Sequence, residues 1–268
     1  MKRIWMLLLL CPLLAQAAPK AELWPVWQAH DDRNHAVIDH TAWDELLQAY
    51  VKPSADGINR VAYSKVSAAD KAKLENYLLK MQSLHIGQYS QAEQRAYWIN
   101  LYNATTVKTI LDHYPVESIT KINISPGLFA HGPWGKKQLK VEGAELALDD
   151  IEHRILRPLW HDPRTHYSVN CASLGCPNLA TQAYTAANME ALLDAGARAY
   201  VNHPRAVSVQ NGKLIVSSIY VWFKDDFGGD DAGVIAHIKK YAEPKLAAQL
   251  ASISRISDDR YDWTLNQR

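Results

Sequence analysis

The sequence predicts an α+β fold, with several helices packed on a small, mainly antiparallel sheet. Three observations carry this reading. Stretches with apolar residues at helical spacing begin at serine or threonine caps. "AVSVQNGKLIVSSIYVW" alternates around Asn211-Gly212, the best hairpin signal in the chain. Strands and helices do not alternate regularly enough for a doubly wound parallel sheet.

Residues 1–17 read as a secretory signal. Lys2 and Arg3 precede the apolar run "IWMLLLLCPLL", and "AQA" offers small residues for a cut after Ala17. The run is too short to span a bilayer comfortably. Leu10, ahead of Cys11, stands where a lipid anchor needs a small residue. The expectation is an exported, periplasmic or secreted chain, with residues 18–268 forming a single domain and no membrane insertion once the signal is removed.

The elements then follow in order. "TAWDELLQAYV" is helical, with Thr41 and Asp44 spaced as a capping box. "INRVAY" is a short strand. "SAADKAKLENYLLKMQSL" is an amphipathic helix behind Ser67, with Leu74, Leu78 and Met81 on one face. "SQAEQRAYWINLYNATTVKTILDHYP" is the longest helix, capped by Ser90 and Glu93 and closed by Pro115. "LKVEGAELAL" holds short strands around Gly143, and "DDIEHRILRPLW" is helical. "THYSVNC" alternates as a strand, placing Tyr167, Val169 and Cys171 on one face. "AANMEALLDAGARAYVNH" and shorter segments near "GVIAHIKKYA" and "PKLAAQLA" are helical.

Charge narrows the function. Removing Lys2 and Arg3 from 29 basic residues leaves 27 against 28 acidic ones, a net charge near −1. Bulk electrostatic binding of nucleic acid or an anionic membrane is therefore not expected. Nine tryptophans and thirteen tyrosines supply core aromatics or a groove for sugar or peptide. No cofactor is implied.

Two helices carry polar residues where a core is expected. At 100° per residue, Asn100 and Asn103 fall within the apolar arc of Ala96, Ile99, Ala104, Val107 and Ile110. Buried amides need partners, so these either tie down a neighbouring loop or line a site. In "DDIEHRILRPLW", Glu152 lies inside the arc and His153 at its edge. Glu152 either closes a capping box with Asp149 or acts as a buried acid or base. His153 is the natural proton carrier near neutral pH.

After Cys11 leaves with the signal, only Cys171 and Cys176 remain, in "NCASLGCPN". The compartment favours a disulfide between them. Gly175 permits a tight return, and Pro177 prevents a continued ladder. Zinc is poorly supported, because there is no second cysteine pair and the strand reading turns His166 away from Cys171.

"AYWINLYNATT", "LDDIEHRILR", "HYSVNCASLGCPNL", "VWFKDDF" and "YDWTLN", in this order, resemble the domain of unknown function 547 family from about Trp43 to Asn266. The resemblance implies a domain and not a reaction. Asn100, Asn103, Glu152, His153, Cys171 and Asp262 fall at the family's motif positions. Plant members, which keep a residue like Cys171 and place serine near Cys176, imply that an obligatory disulfide does not define the family site.

Two function classes follow. In the first, Cys171 is the nucleophile of a hydrolase or acyl transferase acting on amide or ester bonds. His153 is its base, Asn100 or Asn103 orients the imidazole or an oxyanion, and Glu152 or Asp262 sets the local charge. In the second, a non-catalytic domain with a Cys171–Cys176 disulfide binds a peptide, glycan or protein partner, with Trp98, Trp134, Trp222 and Trp263 as groove or core aromatics. A metal site in "HDDRNHAVIDH" (His30, Asp31, Asp32, His35, His40) fits no standard ligand spacing.

Overall fold

The computed structural model describes residues 19–127 and 131–268; the expected signal at 1–17 lies outside them. The architecture is α+β. Helix α1 (Thr41–Tyr50) leads into β1 (Val51–Pro53) and its antiparallel partner β2 (Asn59–Val61). Helices α2 (Ala68–Gln82) and α3 (Gln91–His113) follow. β3 (Leu139–Val141) and β4 (Ala144–Leu146) form a second antiparallel pair. Next come α4 (Leu148–Asp150), a π-helical turn (Ile151–Leu156), α5 (Arg157–Trp160), α6 (Thr165–Ser168) and α7 (Met189–Val201). β5 (Val207–Gln210) and β6 (Lys213–Ser217) make the expected hairpin, with Asn211 and Gly212 both at positive φ, as that turn requires. Helices α8 (Ile219–Trp222), α9 (Asp231–Tyr241) and α10 (Pro244–Leu250) precede β7 (Ile256–Arg260), which pairs with β6 in parallel. The strands therefore divide among three small sheets instead of one.

Local chemistry sets the helix starts. The Ser67 hydroxyl accepts from Asp70 N–H and the Ser90 hydroxyl from Glu93 N–H, each satisfying an orphan donor of the first turn. Glu93 does not reach back to complete a capping box; its carboxylate accepts from Ile38 N–H across the core. At α1 the flanking Asp39 accepts from Thr41 N–H, while Asp44 accepts from the distant Ala183 N–H, so the Thr41/Asp44 box is not formed.

Two cores result. The first surrounds α3, which is buried on all sides from Glu93 to Val107. The second gathers Tyr167 with Tyr200, Val216, Tyr220, Phe227, Val234 and Ile238. The cleft described next lies between them.

Candidate functional site

The cleft has a volume of about 160 Å³ and is lined from both cores: Tyr102 and Val169 from the first, Ile219 from the second. Its wall also carries Asp149, Glu152, His153, His166, Cys171 and Cys176. Trp134, Trp222, Tyr261 and Trp263 form one side, with Trp222 stacked on Trp263 and Tyr261 packed 4.6 Å from Trp263. Trp98 is not part of it; it is fully buried between Trp27 and Tyr97.

Glu152 and His153 reach the cleft through a backbone irregularity. Pro158 has no N–H, so the Arg154 carbonyl cannot receive its α-helical bond. Arg157 N–H bonds to Glu152 O, five residues back, and this leaves His153 O free as well. Both carbonyls are satisfied from outside the helix: Glu22 N–H donates to His153 O and Trp24 N–H to Arg154 O. The widened turn buries Glu152, His153, Ile155 and Leu156 together. Glu152 is not a cap. That role falls to Asp150, which accepts from Ala147 N–H at 2.6 Å.

"THYS" is helical, not a strand, because Asp162-Pro163 starts a turn in which Thr165 N–H bonds to Asp162 O. The correction matters, since it places His166 on the same cleft as Cys171. His166 Nε2 lies 2.7 Å from Asp226 Oδ2, and Nδ1 lies 3.6 Å from Glu152 Oε1. Burial opposes a charge here, but the two carboxylates outweigh it and raise the His166 pKa. Arg157 donates to the same Asp226 oxygen at 2.5 Å and packs over the Phe223 ring at 4.7 Å. Burial also opposes ionisation of Glu152. His153 (itself protonated only in acid), then His166 and Arg157, overcome this and hold the carboxyl at about 2.

His153 is constrained differently. Arg157 Nη1 lies 3.0 Å from His153 Nδ1, and a guanidinium can only donate, so Nδ1 is the unprotonated nitrogen. The proton then resides on Nε2, which faces Asp149 at 3.8 Å. Burial keeps the ring neutral, with its pKa lowered to about 4. In this tautomer His153 is a hydrogen-bond donor and not a base. Burial, reinforced by the Glu152 and Asp150 carboxylates, pushes Asp149 up to about 7.

The cysteine loop is held from several sides. Asn103 accepts from Asn170 N–H and donates to Ser168 O, both at 2.8 Å. Asn170 accepts from Ala172 N–H and donates to Pro177 O. Ala172, next to Cys171, adopts φ 57°, a conformation that L-residues avoid. The C-terminal segment locks the loop: Leu174 N–H bonds to Thr264 O and Gly175 N–H to Asp262 O. A Cβ on Gly175 would stand 2.7 Å from Asp262 N, so only glycine fits this approach. Asn100 bonds both N–H and C=O of Tyr184. Asn100 and Asn103 are thus loop ties outside the cleft lining, and Asp262 is exposed, capping Thr264 N–H.

The expected disulfide is not formed. Cys171 and Cys176 are free thiols whose sulfurs lie 3.0 Å apart, well beyond a bond of about 2.05 Å. The Tyr261 hydroxyl lies 2.9 Å from the Cys171 sulfur. The Ser173 hydroxyl is 3.2 Å from that sulfur and 3.1 Å from Tyr261 Oη. Among the described residues no histidine is within hydrogen-bonding distance of the sulfur, so the anticipated Cys171–His153 pair is not assembled. Burial alone would raise the Cys171 pKa, but hydrogen bonds from Cys176, Ser173 and Tyr261 lower it. Burial and the neighbouring Cys171 push Cys176 up.

Among the described residues no group of three or more His, Cys, Asp or Glu side chains could hold a metal ion. Of the N-terminal candidates, Asp31 pairs with Arg33, and His40 hydrogen-bonds Tyr77. The cleft residues that sequence reasoning missed are His166, Asp149 and Tyr261, joined by Asp226 behind them. Asp162-Pro163 was the available signal for His166, and the four-residue spacing to His153 was the one for Asp149; Tyr261 and Asp226 are brought in by tertiary packing.

No curated protein and no solved structure matches the chain. Residues 86–201 match the family described as "Protein of unknown function, DUF547", a shorter span than the resemblance read from the motifs. They include Asn100, Asn103, Glu152, His153 and both cysteines, while "VWFKDDF" and "YDWTLN" lie beyond them. Over residues 86–201, the chain is similar to the domain of unknown function 547 family.

Proposed function

We propose that the protein is an exported thiol enzyme, a hydrolase or acyl transferase that attacks an amide or ester carbonyl with Cys171. One observation carries this reading: the Ser173 and Tyr261 hydroxyls lie within hydrogen-bonding distance of the Cys171 sulfur at the wall of a cleft that also holds Asp149, a carboxyl pushed up to about 7. The thiolate adds to the carbonyl carbon, and the Nε2–H of His153 is the cleft donor suited to the developing oxyanion. The C–N or C–O bond then breaks. The leaving group takes the Asp149 proton, and a thioester to Cys171 remains. Water, or a second nucleophile in transfer, attacks the thioester and gives its proton to Asp149, releasing the thiolate.

The test is to mix the reduced mature protein with p-nitrophenyl acetate and follow nitrophenolate release, with mass mapping of the quenched protein. An initial burst with an acetyl group on Cys171, absent in Cys171→Ala, is expected. A burst that survives in Cys171→Ala, or no adduct on Cys171, removes the reading. The non-catalytic alternative draws on the aromatic wall of Trp134, Trp222 and Trp263, which suits a bound peptide or glycan.

A further inference from the structure

The acyl-transfer reading uses one sulfur and leaves the second without a role. Cys176 is buried, lines the same cleft, and has its sulfur 3.0 Å from that of Cys171. The backbone N–H of Cys171 donates to the Cys176 sulfur, also at 3.0 Å. A buried thiol that only filled space would not need a backbone donor aimed at its sulfur. That donor is positioned to stabilise a thiolate at Cys176 while one forms. The two residues also differ in access: Cys171 is half-buried and Cys176 is buried. One can meet an incoming molecule, and the other can react only with its neighbour.

We infer that Cys171 and Cys176 are an attacking and a resolving thiol, giving the protein a thiol–disulfide exchange activity toward small disulfides that enter the cleft. The Cys171 thiolate attacks one sulfur of the substrate disulfide. That S–S bond breaks, a mixed disulfide forms on Cys171, and the first thiol leaves. Cys176 then attacks the Cys171 sulfur, and the mixed disulfide breaks. The second thiol leaves with the Cys176 proton, and a Cys171–Cys176 disulfide remains. Two electrons pass from the protein dithiol to the substrate, and an external dithiol returns the protein to its starting state. The opposed pKa directions of the two sulfurs fit this division, because the attacking thiol needs a standing thiolate fraction and the resolving thiol does not. The loop needs little movement for closure, since the sulfurs are already adjacent and the flanking backbone is pinned by Asn170 and the C-terminal segment. The activity shares only Cys171 with the acyl-transfer reading.

The experiment uses the reduced mature protein and bis(2-hydroxyethyl) disulfide, with acid quenching, alkylation and mass mapping over time. Wild type is expected to pass rapidly to an internal Cys171–Cys176 disulfide with two mercaptoethanol molecules released per protein. Cys176→Ser, a near-isosteric change, is expected to stop at a mixed disulfide on Cys171, which decays at least about tenfold more slowly than wild type closes. Cys171→Ser leaves Cys176 unmodified. The inference is overturned if wild type holds the mixed disulfide as long as Cys176→Ser does, or if Cys176 takes the adduct first. The wild-type product decides the matter even if a variant folds poorly. The thioester assay above reads a different adduct, so either activity can fail without the other.

Discussion

His166 shows how one side chain organises the cleft. Both ring nitrogens face carboxylates, and a planar cation between them pairs with Glu152 on one side and, together with Arg157, with Asp226 on the other. Its folded pKa lies above the ordinary histidine value of 6.5. The stabilisation is therefore fully present below pH 6.5 and is lost as pH rises through the folded value. His166→Gln should cost about 3 kcal/mol at pH 5.5, and the gap to wild type should narrow at pH 9. Urea unfolding at the two pH values measures this; an equal gap at both would remove the imidazolium from the argument. Asp149 runs in the opposite sense. As an acid held at about 7, it keeps its proton through weakly acidic pH. If it protonates the leaving group, acylation by an amide substrate should fall as pH rises through about 7, and Asp149→Asn should flatten that limb while lowering the rate below it. A limb unchanged in Asp149→Asn would assign the titration to another group.

At the scale of elements, the cysteine loop depends on a segment almost ninety residues away in sequence. Tyr261 reaches the Cys171 sulfur because residues 261–266 run against residues 172–175 with backbone hydrogen bonds and no side chain between them at Gly175. Gly175→Ala inserts a methyl against the Asp262 backbone. It should cost about 1–3 kcal/mol and, by moving Tyr261 away, slow iodoacetamide alkylation of Cys171 at neutral pH. Wild-type stability and alkylation rate in that variant would falsify the close-approach account. The same scale explains what the sequence made legible. Caps and periodicity located α2, α3 and α7, and Asn211-Gly212 located the hairpin, because these signals act within a few residues. Asn100 and Asn103 stood out as amides in an apolar arc, and they do tie loops. Alternation in "THYSVNC" misled, because the turn begun by Asp162-Pro163 overrides a weak two-residue pattern. The π-helical turn left only Pro158 as a trace, and its freed carbonyls are satisfied by an N-terminal segment whose contacts no local pattern encodes.

For the whole molecule, the cleft is the seam between two hydrophobic cores, so the groups along it both build a site and couple the two halves. One charged connection is made at Asp226. It follows α8 on the second core and receives Arg157 and His166 together. Arg157 continues the link toward the chain's start, donating to Pro19 O at 2.7 Å. Removing the Asp226 charge leaves Arg157 and His166 repelling each other at the seam. Asp226→Asn should therefore cost about 3 kcal/mol and weaken the joint unfolding of the two cores more than it weakens either core's own packing. Pulse-labelled hydrogen exchange across a urea series separates these effects. In wild type, amides of α3 in the first core and α9 in the second should lose protection at one urea concentration, as expected of a single domain. In Asp226→Asn, α9 should lose protection first while α3 holds. If both helices shift together by the same amount, the seam is stabilised mainly by apolar packing, and the ion cluster serves only the site.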